Sequence, residues 1–259
     1  MIKKIGFVVL FTTLSTVQGL AHDFWIHSSS YTPQLNKLGA ITNLYTGSGH
    51  IYPIDEVYEA KAEFKIVEGD KQSNLDDKLL GYKAVLKNDG NYLVLGKTNP
   101  AFYTQYLDNK GNKTWKAGTK EGLDNVISSK QFNRFAKAII SVGEAKDENY
   151  SKALGQTLEI IPMQNPNKLK GNGEYLTVKV LFNNEPLASS NIVGTYAGFS
   201  NKGDFALATT TNKEGVANIK LNHSGYWLLQ VEHNVKSPKD MQDKVDELFY
   251  SSTLTFQVQ

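Results

Sequence analysis

Residues 128–143 read SSKQFNRFAKAIISVG, and this stretch decides the fold that the sequence predicts. Its apolar side chains recur at the i, i+3, i+4, i+7 and i+8 spacing of one face of an α-helix. These are Phe132, Phe135, Ala136, Ile139 and Ile140. Ser128 or Ser129 is suited to cap the start of a helix, and Gly143 to end it. The pattern predicts one principal helix near residues 129–142, with its apolar face on a sheet.

The sequence on either side of this stretch predicts short strands instead. Residues 22–33, HDFWIHSSSYTP, alternate apolar and polar side chains. Residues 82–100, YKAVLKNDGNYLVLGKTNP, contain a hairpin turn at NDGN. The chain also holds 13 tyrosines and 12 phenylalanines, which are typical of strands. The predicted fold class is therefore all-β (β-rich), with a single helix.

Two β-sandwich-like units are predicted because a polar segment separates two groups of strands. Residues 162–173, PMQNPNKLKGNG, are poor in apolar residues and rich in Pro, Asn and Gly, as in an interdomain linker or a long loop. Beyond them, strands such as LTVKVLFNNEPLA, residues 176–188, have turn residues at the spacing of a small β-sandwich. We predict an N-terminal unit over residues 22–165, which includes the helix, and a C-terminal unit over residues 172–259.

The first 21 residues have the three parts of a secretory signal peptide. Lys3 and Lys4 precede the apolar run IGFVVLFTTL, and Gly19 and Ala21 provide small residues at a cleavage site. The run is shorter than the roughly 20 apolar residues that a spanning helix needs. Cleavage after Ala21 is the preferred site, and cleavage after Gly19 is the alternative. The sequence predicts an exported protein without stable membrane insertion.

The composition excludes one class of partner. Removal of residues 1–21 leaves 238 residues with 26 basic and 26 acidic side chains, and this balance argues against a nucleic-acid partner. The chain has no cysteine, so no disulfide stabilises it, and 238 residues are enough for one large core or two moderate ones. Arg134 is the only arginine, which we interpret as genome composition rather than function.

Histidines are the candidate chemical groups. If the signal peptide is cleaved after Ala21, His22 becomes the first residue, and its α-amine and imidazole can close a six-membered ring around one metal ion. An α-amine has a pKa of roughly 7.7–8.0, so a metal ion competes with its proton near neutral pH. Nitrogen donors favour Cu²⁺ or Ni²⁺ over Ca²⁺ or Mg²⁺. The alternative is that His22 is a solvated chain end.

Three further histidines are candidate ligands. His27 lies in the same predicted strand as His22, and His50 ends the glycine-rich segment TGSGH, where a loop can place a binding residue. His233 ends the predicted strand GYWLLQVEH. Each also has an ordinary structural interpretation, as a strand-end or turn histidine. His223, in the turn NHSG, is interpreted as solvated.

Several segments together resemble a known family. They are AHDFWI (21–26), GSGHIYPIDEV (47–57), ALGQTLEIIPMQNP (153–166) and TTTNKEGVANIKLNHSGYWLLQVEH (209–233). In this order they resemble the exported nickel uptake transporter family, long catalogued as a domain of unknown function. The likeness covers essentially all of residues 21–259.

The resemblance implies a fold and a function. It implies an all-β periplasmic protein whose C-terminal unit is like a transthyretin or carboxypeptidase-regulatory sandwich. It also implies binding of Ni²⁺, or of Co²⁺, for supply to a membrane transporter of the energy-coupling-factor type. His22, His50 and His233 stand at family-typical positions. Relatives carry more histidines after the glycine loop, where this chain has GSGHIYPID.

The predicted function is therefore metal binding for transport, and not catalysis. The sequence shows no base or nucleophile beside the histidines, so we expect no enzyme. Two alternatives remain open. One is a β-sandwich interaction module without metal, and the other is a copper monooxygenase in which an N-terminal histidine brace holds Cu²⁺.

Overall fold

A computed structural model of the chain describes residues 22–259, and the predicted signal peptide lies outside them. Eighteen strands form its framework: β1 (Asp23–Ser28), β2 (Ala40–Gly49), β3 (Glu56–Val57), β4 (Ala62–Glu68), β5 (Lys71–Asn74), β6 (Leu80–Leu86), β7 (Gly90–Thr98), β8 (Ala101–Leu107), β9 (Lys113–Ala117), β10 (Val126–Val142), β11 (Leu158–Pro162), β12 (Glu174–Phe182), β13 (Glu185–Pro186), β14 (Asn191–Tyr196), β15 (Leu207–Thr210), β16 (Val216–Leu221), β17 (Gly225–Lys236) and β18 (Glu247–Val258). Three 3₁₀ turns, at Asn149–Ser151, Pro166–Lys168 and Lys239–Met241, are the only helical segments of this range. The all-β prediction is confirmed.

The strands form three sheets. A ten-stranded central sheet has the order β15-β14-β17-β18-β10-β7-β4-β5, with β8 paired to β10 and to β9. An N-terminal sheet joins β1, β2, β3 and β6, and a C-terminal sheet joins β11, β12, β13 and β16. Within residues 22–259, no helix is long and apolar enough to cross a membrane.

The predicted helix at residues 129–142 is wrong, because this stretch lies in the 17-residue strand β10. β10 pairs in parallel with β18 and antiparallel with β8 and then β7, so it lies inside the central sheet. Phe135 and Ile139 point into one apolar cluster, and Ala136, Ala138 and Ile140 into another. A strand buried on both faces is apolar at nearly every position, so its spacing also satisfies the helical pattern.

The two cores lie on opposite faces of the central sheet. The N-terminal sheet covers one face, with Phe24, Ile26 and Leu44 among its buried side chains. The C-terminal sheet covers the other face, with Val178 and Ile219 among its buried side chains. Burial of apolar surface on both faces stabilises β7 and β10 as central strands.

The polar segment 162–173 is a loop that hydrogen-bonds to two strands of the central sheet. It connects β11 to β12, which are hydrogen-bonded neighbours in the C-terminal sheet. Asn167 is 1% exposed, and its amide donates to the carbonyl oxygen of Ile139 at 2.9 Å and accepts from the backbone N–H of Gln257 at 2.9 Å. The segment therefore ties β10 to β18. Strands from both predicted units share the central sheet, through the β10–β18 pair, and the division into two units stays a prediction.

Candidate metal-binding site

His22 and His50 lie side by side at one edge of the N-terminal sheet. β1 and β2 pair antiparallel, with Asp23 opposite Gly49, so the residue before Asp23 faces the residue after Gly49. The ring centroids of His22 and His50 are 5.1 Å apart, with the rings edge to face. Strand register thus brings together two histidines that are 28 positions apart in the sequence.

The glycine-rich end of β2 shapes the loop that carries His50. A side chain at Gly47 would collide with the indole of Trp25, and one at Gly49, where φ is +126°, would collide with Asp55. The Asp55 carboxylate accepts hydrogen bonds from the backbone N–H groups of His50, at 2.8 Å, and Ile51, at 3.3 Å. These two glycines therefore leave room for the side chains of Trp25 and Asp55, and the hydrogen bonds to Asp55 fix the backbone of His50.

Glu56 is a third polar group at this edge, and sequence reasoning missed it. Its Oε2 atom lies 3.3 Å from Nδ1 of His22, with 60% of the Glu56 side chain and 45% of the His22 side chain exposed. The short strand β3 places Glu56 opposite Ser48 of β2. The only available signal was an acidic residue shortly after the glycine loop, and that alone does not specify the pairing.

Charged groups lie beneath the histidine pair. Nε of Arg134 donates to the carbonyl oxygen of His22 at 2.9 Å. Burial, together with the nearby Glu232 carboxylate, raises the pKa of Asp23 from 3.8 to about 8, and the Arg134 charge opposes this rise. The Gln230 amide donates to the carboxyl groups of both Asp23 and Glu232. Hydrogen bonds from Arg134 and Gln230 therefore hold the start of β1 in place.

A loop from the C-terminal half covers the other side of His50. It follows β14, and the backbone of Gly203 lies against His50, so that a Cβ there would be 3.0 Å from Cβ of His50. The Ser200 hydroxyl closes this loop by donating to Asp204 at 2.7 Å. Both halves of the sequence therefore contribute to the surroundings of His50.

The structure does not bring His27 or His233 to this pair. His27 lies in β1 five residues from His22, roughly 16 Å along a strand. His27 is 8% exposed, and its ring packs among Tyr31, Tyr52 and Tyr226. His27 is therefore a buried core histidine, and not one satisfied by water at a strand end.

His233 faces the opposite side of the central sheet. It packs on Phe182 of β12, with ring centroids 4.6 Å apart, whereas Gln230 and Glu232 of the same strand face β1. Burial lowers the pKa of His233. The exposed His223 stacks on Tyr196 at 4.1 Å. Of the four histidines predicted as ligands, only His22 and His50 are adjacent.

The comparisons with known proteins assign a family. The family described as "Domain of unknown function (DUF4198)" matches residues 19–235 of the chain. The chain belongs to this family. A comparison with curated proteins found no match. Among solved structures, the D00-D0 domain of intimin is similar, with 13% sequence identity, coverage of 91% of this chain and 99% of that chain, and a TM-score of 0.22.

Side chains alone do not complete a metal site at this edge of the N-terminal sheet. Within the part of the chain that the structure describes, no three His, Asp or Glu side chains are grouped so that they could hold a metal ion. In the uncleaved sequence Ala21 precedes His22, so the nitrogen of His22 is a peptide nitrogen. Cleavage after Ala21 would turn it into an amine beside two imidazoles and a carboxylate, which is a donor set that fits Ni²⁺, Co²⁺ or Cu²⁺.

Burial of His27 is expected to make the stability of the protein depend on pH. Burial lowers its pKa from 6.5 to about 4, so the folded state disfavours the proton that the unfolded state takes up below pH 6.5. The stabilisation from the neutral ring is fully present above pH 6.5 and is lost as the pH falls toward 4. Between pH 7 and pH 5, we expect His27 to account for a loss of about 2 kcal/mol.

The test compares the parent with His27→Gln in urea unfolding at pH 7 and pH 5. The substitution removes packing at both pH values, so the informative quantity is the difference between the two pH-dependent losses. Other titrating groups, including Asp23, cancel in that difference. Equal losses of stability in the two proteins would contradict the prediction.

Proposed function

We propose that this chain is an exported protein that binds Ni²⁺, or Co²⁺, and supplies it to a membrane uptake transporter of the energy-coupling-factor type. The observation that carries the proposal is the adjacency of His22 and His50, whose ring centroids are 5.1 Å apart. The pair lies where the predicted mature chain begins. The family resemblance described from the sequence supplies the choice of metal and transporter.

The chemistry of the pair supports metal binding. A chain that begins at His22 would offer its α-amine, its own imidazole and the imidazole of His50, with the carboxylate of Glu56 close to His22. Amine and imidazole groups must lose protons to bind, so the affinity should fall steeply between about pH 7 and pH 5. His50 and Glu56 are exposed, which leaves a bound ion open to transfer.

Equilibrium dialysis of the chain that begins at His22 tests the proposal. At pH 7.5 we expect one Ni²⁺ per chain. We expect His50→Ala to weaken the affinity at least tenfold, because it removes one of the nitrogen donors. His223→Ala and His233→Ala are the matched controls, since both rings lie away from the pair, and each should change the affinity less than twofold. Absence of stoichiometric binding would favour the interaction module without metal.

A second candidate function uses the same three nitrogens. The amine and imidazole of a first-residue histidine with a second imidazole form the donor set of a copper histidine brace, and a chain that begins at His22 would offer this set, because the rings of His22 and His50 are adjacent. A monooxygenase of this kind would consume oxygen when loaded with Cu²⁺ and given a reductant. Oxygen consumption above that of the copper-loaded His50→Ala variant would favour this function over transport.

A further inference from the structure

Arg134 is a buried charged residue that hydrogen-bonds to the residue at the predicted chain end. It lies in β10, is 9% exposed, and donates from Nε to the carbonyl oxygen of His22 at 2.9 Å. A buried cation pays a desolvation penalty that an apolar side chain of similar size avoids. Arg134 is also the only arginine among 28 basic residues. We therefore ask which property of arginine, absent from lysine, is used at this position.

The hydrogen bond from Arg134 reaches the backbone carbonyl of His22, the residue at the predicted chain end. His22 precedes the first residue of β1, and a terminal residue outside a strand is normally poorly ordered. The carbonyl carbon and the nitrogen of His22 are bonded to the same Cα atom. A hydrogen bond to that carbonyl therefore restricts where the nitrogen lies after cleavage.

The surroundings of Arg134 fix its guanidinium group. Its Cζ atom lies 5.2 Å from the ring centroid of Phe132, which is a cation–π contact. Burial lowers the pKa of Arg134, and the neighbouring groups of Tyr58, Tyr103 and Asp23 oppose that change. A planar guanidinium held by stacking loses little further freedom when it donates a directed hydrogen bond, unlike the flexible ammonium of lysine.

We infer that Arg134 is a positioning residue for the chain end, which holds the His22 backbone so that the α-amine can bind the same metal ion as the two imidazoles. This inference rests on the proposed function for the metal, but the anchoring of His22 does not depend on it. In this role Arg134 acts through the His22 backbone and is not a metal ligand.

The experiment uses two forms of the protein and one control variant. One form begins at His22, and the extended form carries Gly-Ser-Gly-Ser before His22, which keeps every side chain but removes the amine from the site. Arg134→Met keeps an apolar stem and loses the donor. Lys130→Met is the matched control, because Lys130 lies on the same strand and instead pairs with Glu247 at 2.8 Å.

Calorimetry with Ni²⁺ alone separates positioning from a general structural effect. We expect Arg134→Met to lower the affinity at least tenfold in the form that begins at His22 and less than twofold in the extended form. Lys130→Met should change neither. An equal loss in both forms, or no loss in either, would overturn the inference.

A second readout needs no metal. An aminopeptidase should remove His22 at least tenfold faster from Arg134→Met than from the parent or Lys130→Met, as followed by mass spectrometry. An unchanged rate would overturn the anchoring. If the parent binds no Ni²⁺, the proposed function fails, and the aminopeptidase rates alone decide about Arg134. If Arg134→Met does not fold, Arg134→Lys is tested in the same two comparisons, with losses in the same direction.

Discussion

Lys137→Ala is expected to lower the free energy of unfolding by about 3–5 kcal/mol, because it leaves a buried carboxylate without its partner. The Lys137 side chain is 1% exposed, the Glu159 side chain is 0% exposed, and Nζ of Lys137 lies 2.6 Å from Oε1 of Glu159. Burial lowers the pKa of Lys137, and the Glu159 carboxylate opposes this. The pair joins β10 of the central sheet to β11 of the C-terminal sheet.

Further hydrogen bonds make this pair part of a satisfied network. Nζ of Lys137 also donates to the carbonyl oxygen of Ile160 at 3.1 Å. The Glu159 carboxylate accepts from the backbone N–H groups of Leu154, at 2.9 Å, and Gly155, at 3.1 Å. Removal of the ammonium therefore leaves both a buried charge and an unsatisfied carbonyl oxygen, and each is destabilising.

Two controls distinguish the buried charge from loss of a generic ion pair. Lys61→Ala breaks a pair with Asp77 at 2.7 Å whose side chains are 74% and 54% exposed, and it should change the stability far less than Lys137→Ala does, because solvent screens an exposed pair. The double variant Lys137→Met, Glu159→Leu should be more stable than Lys137→Ala, since no charge stays buried. Urea unfolding followed by circular dichroism measures all of them. If Lys137→Ala loses no more stability than Lys61→Ala, the buried network does not stabilise the fold.

Lys137 also shows why the sequence predicted most of the strands but not β10. Strands with one exposed face alternate, as Ala40–Gly49 largely does, and alternation is visible in a sequence. From Arg134 onward, every residue of β10 is buried, including Lys137, so no alternation remains. Which neighbours cover a strand depends on pairing across more than 100 residues, as between Lys130 and Glu247, and local spacing does not contain that information.

The candidate site was predictable only in part, for a similar reason. His22 could be singled out because cleavage would give it an amine, and His50 because glycines precede it. Their adjacency depends on the register of β1 against β2, which the sequence does not specify. Glu56 reaches the site through the pairing of β3 with β2, and Arg134 reaches it through a contact between distant strands. The interpretation of Arg134 as genome composition overlooked a contact with a residue 112 positions away.

The extended form, with Gly-Ser-Gly-Ser before His22, is expected to bind Ni²⁺ at least a hundredfold more weakly than the chain that begins at His22. The extension keeps both imidazoles and Glu56 but turns the nitrogen of His22 into a peptide nitrogen, which has no free lone pair near neutral pH. The six-membered ring formed by amine and imidazole is then lost. A hundredfold change corresponds to about 2.7 kcal/mol.

The length of the extension decides whether this test is informative. With only one or two residues before His22, the new amine could chelate a metal ion together with the intervening amides and the same imidazole. Four residues move the amine beyond that reach. Calorimetry at pH 7.5 measures both forms, with His223→Ala in each as the control that removes an imidazole elsewhere. An affinity of the extended form within threefold of the parent would exclude the amine as a ligand. If His50→Ala also left the Ni²⁺ affinity unchanged, the assignment of the site to this edge of the N-terminal sheet would be wrong altogether.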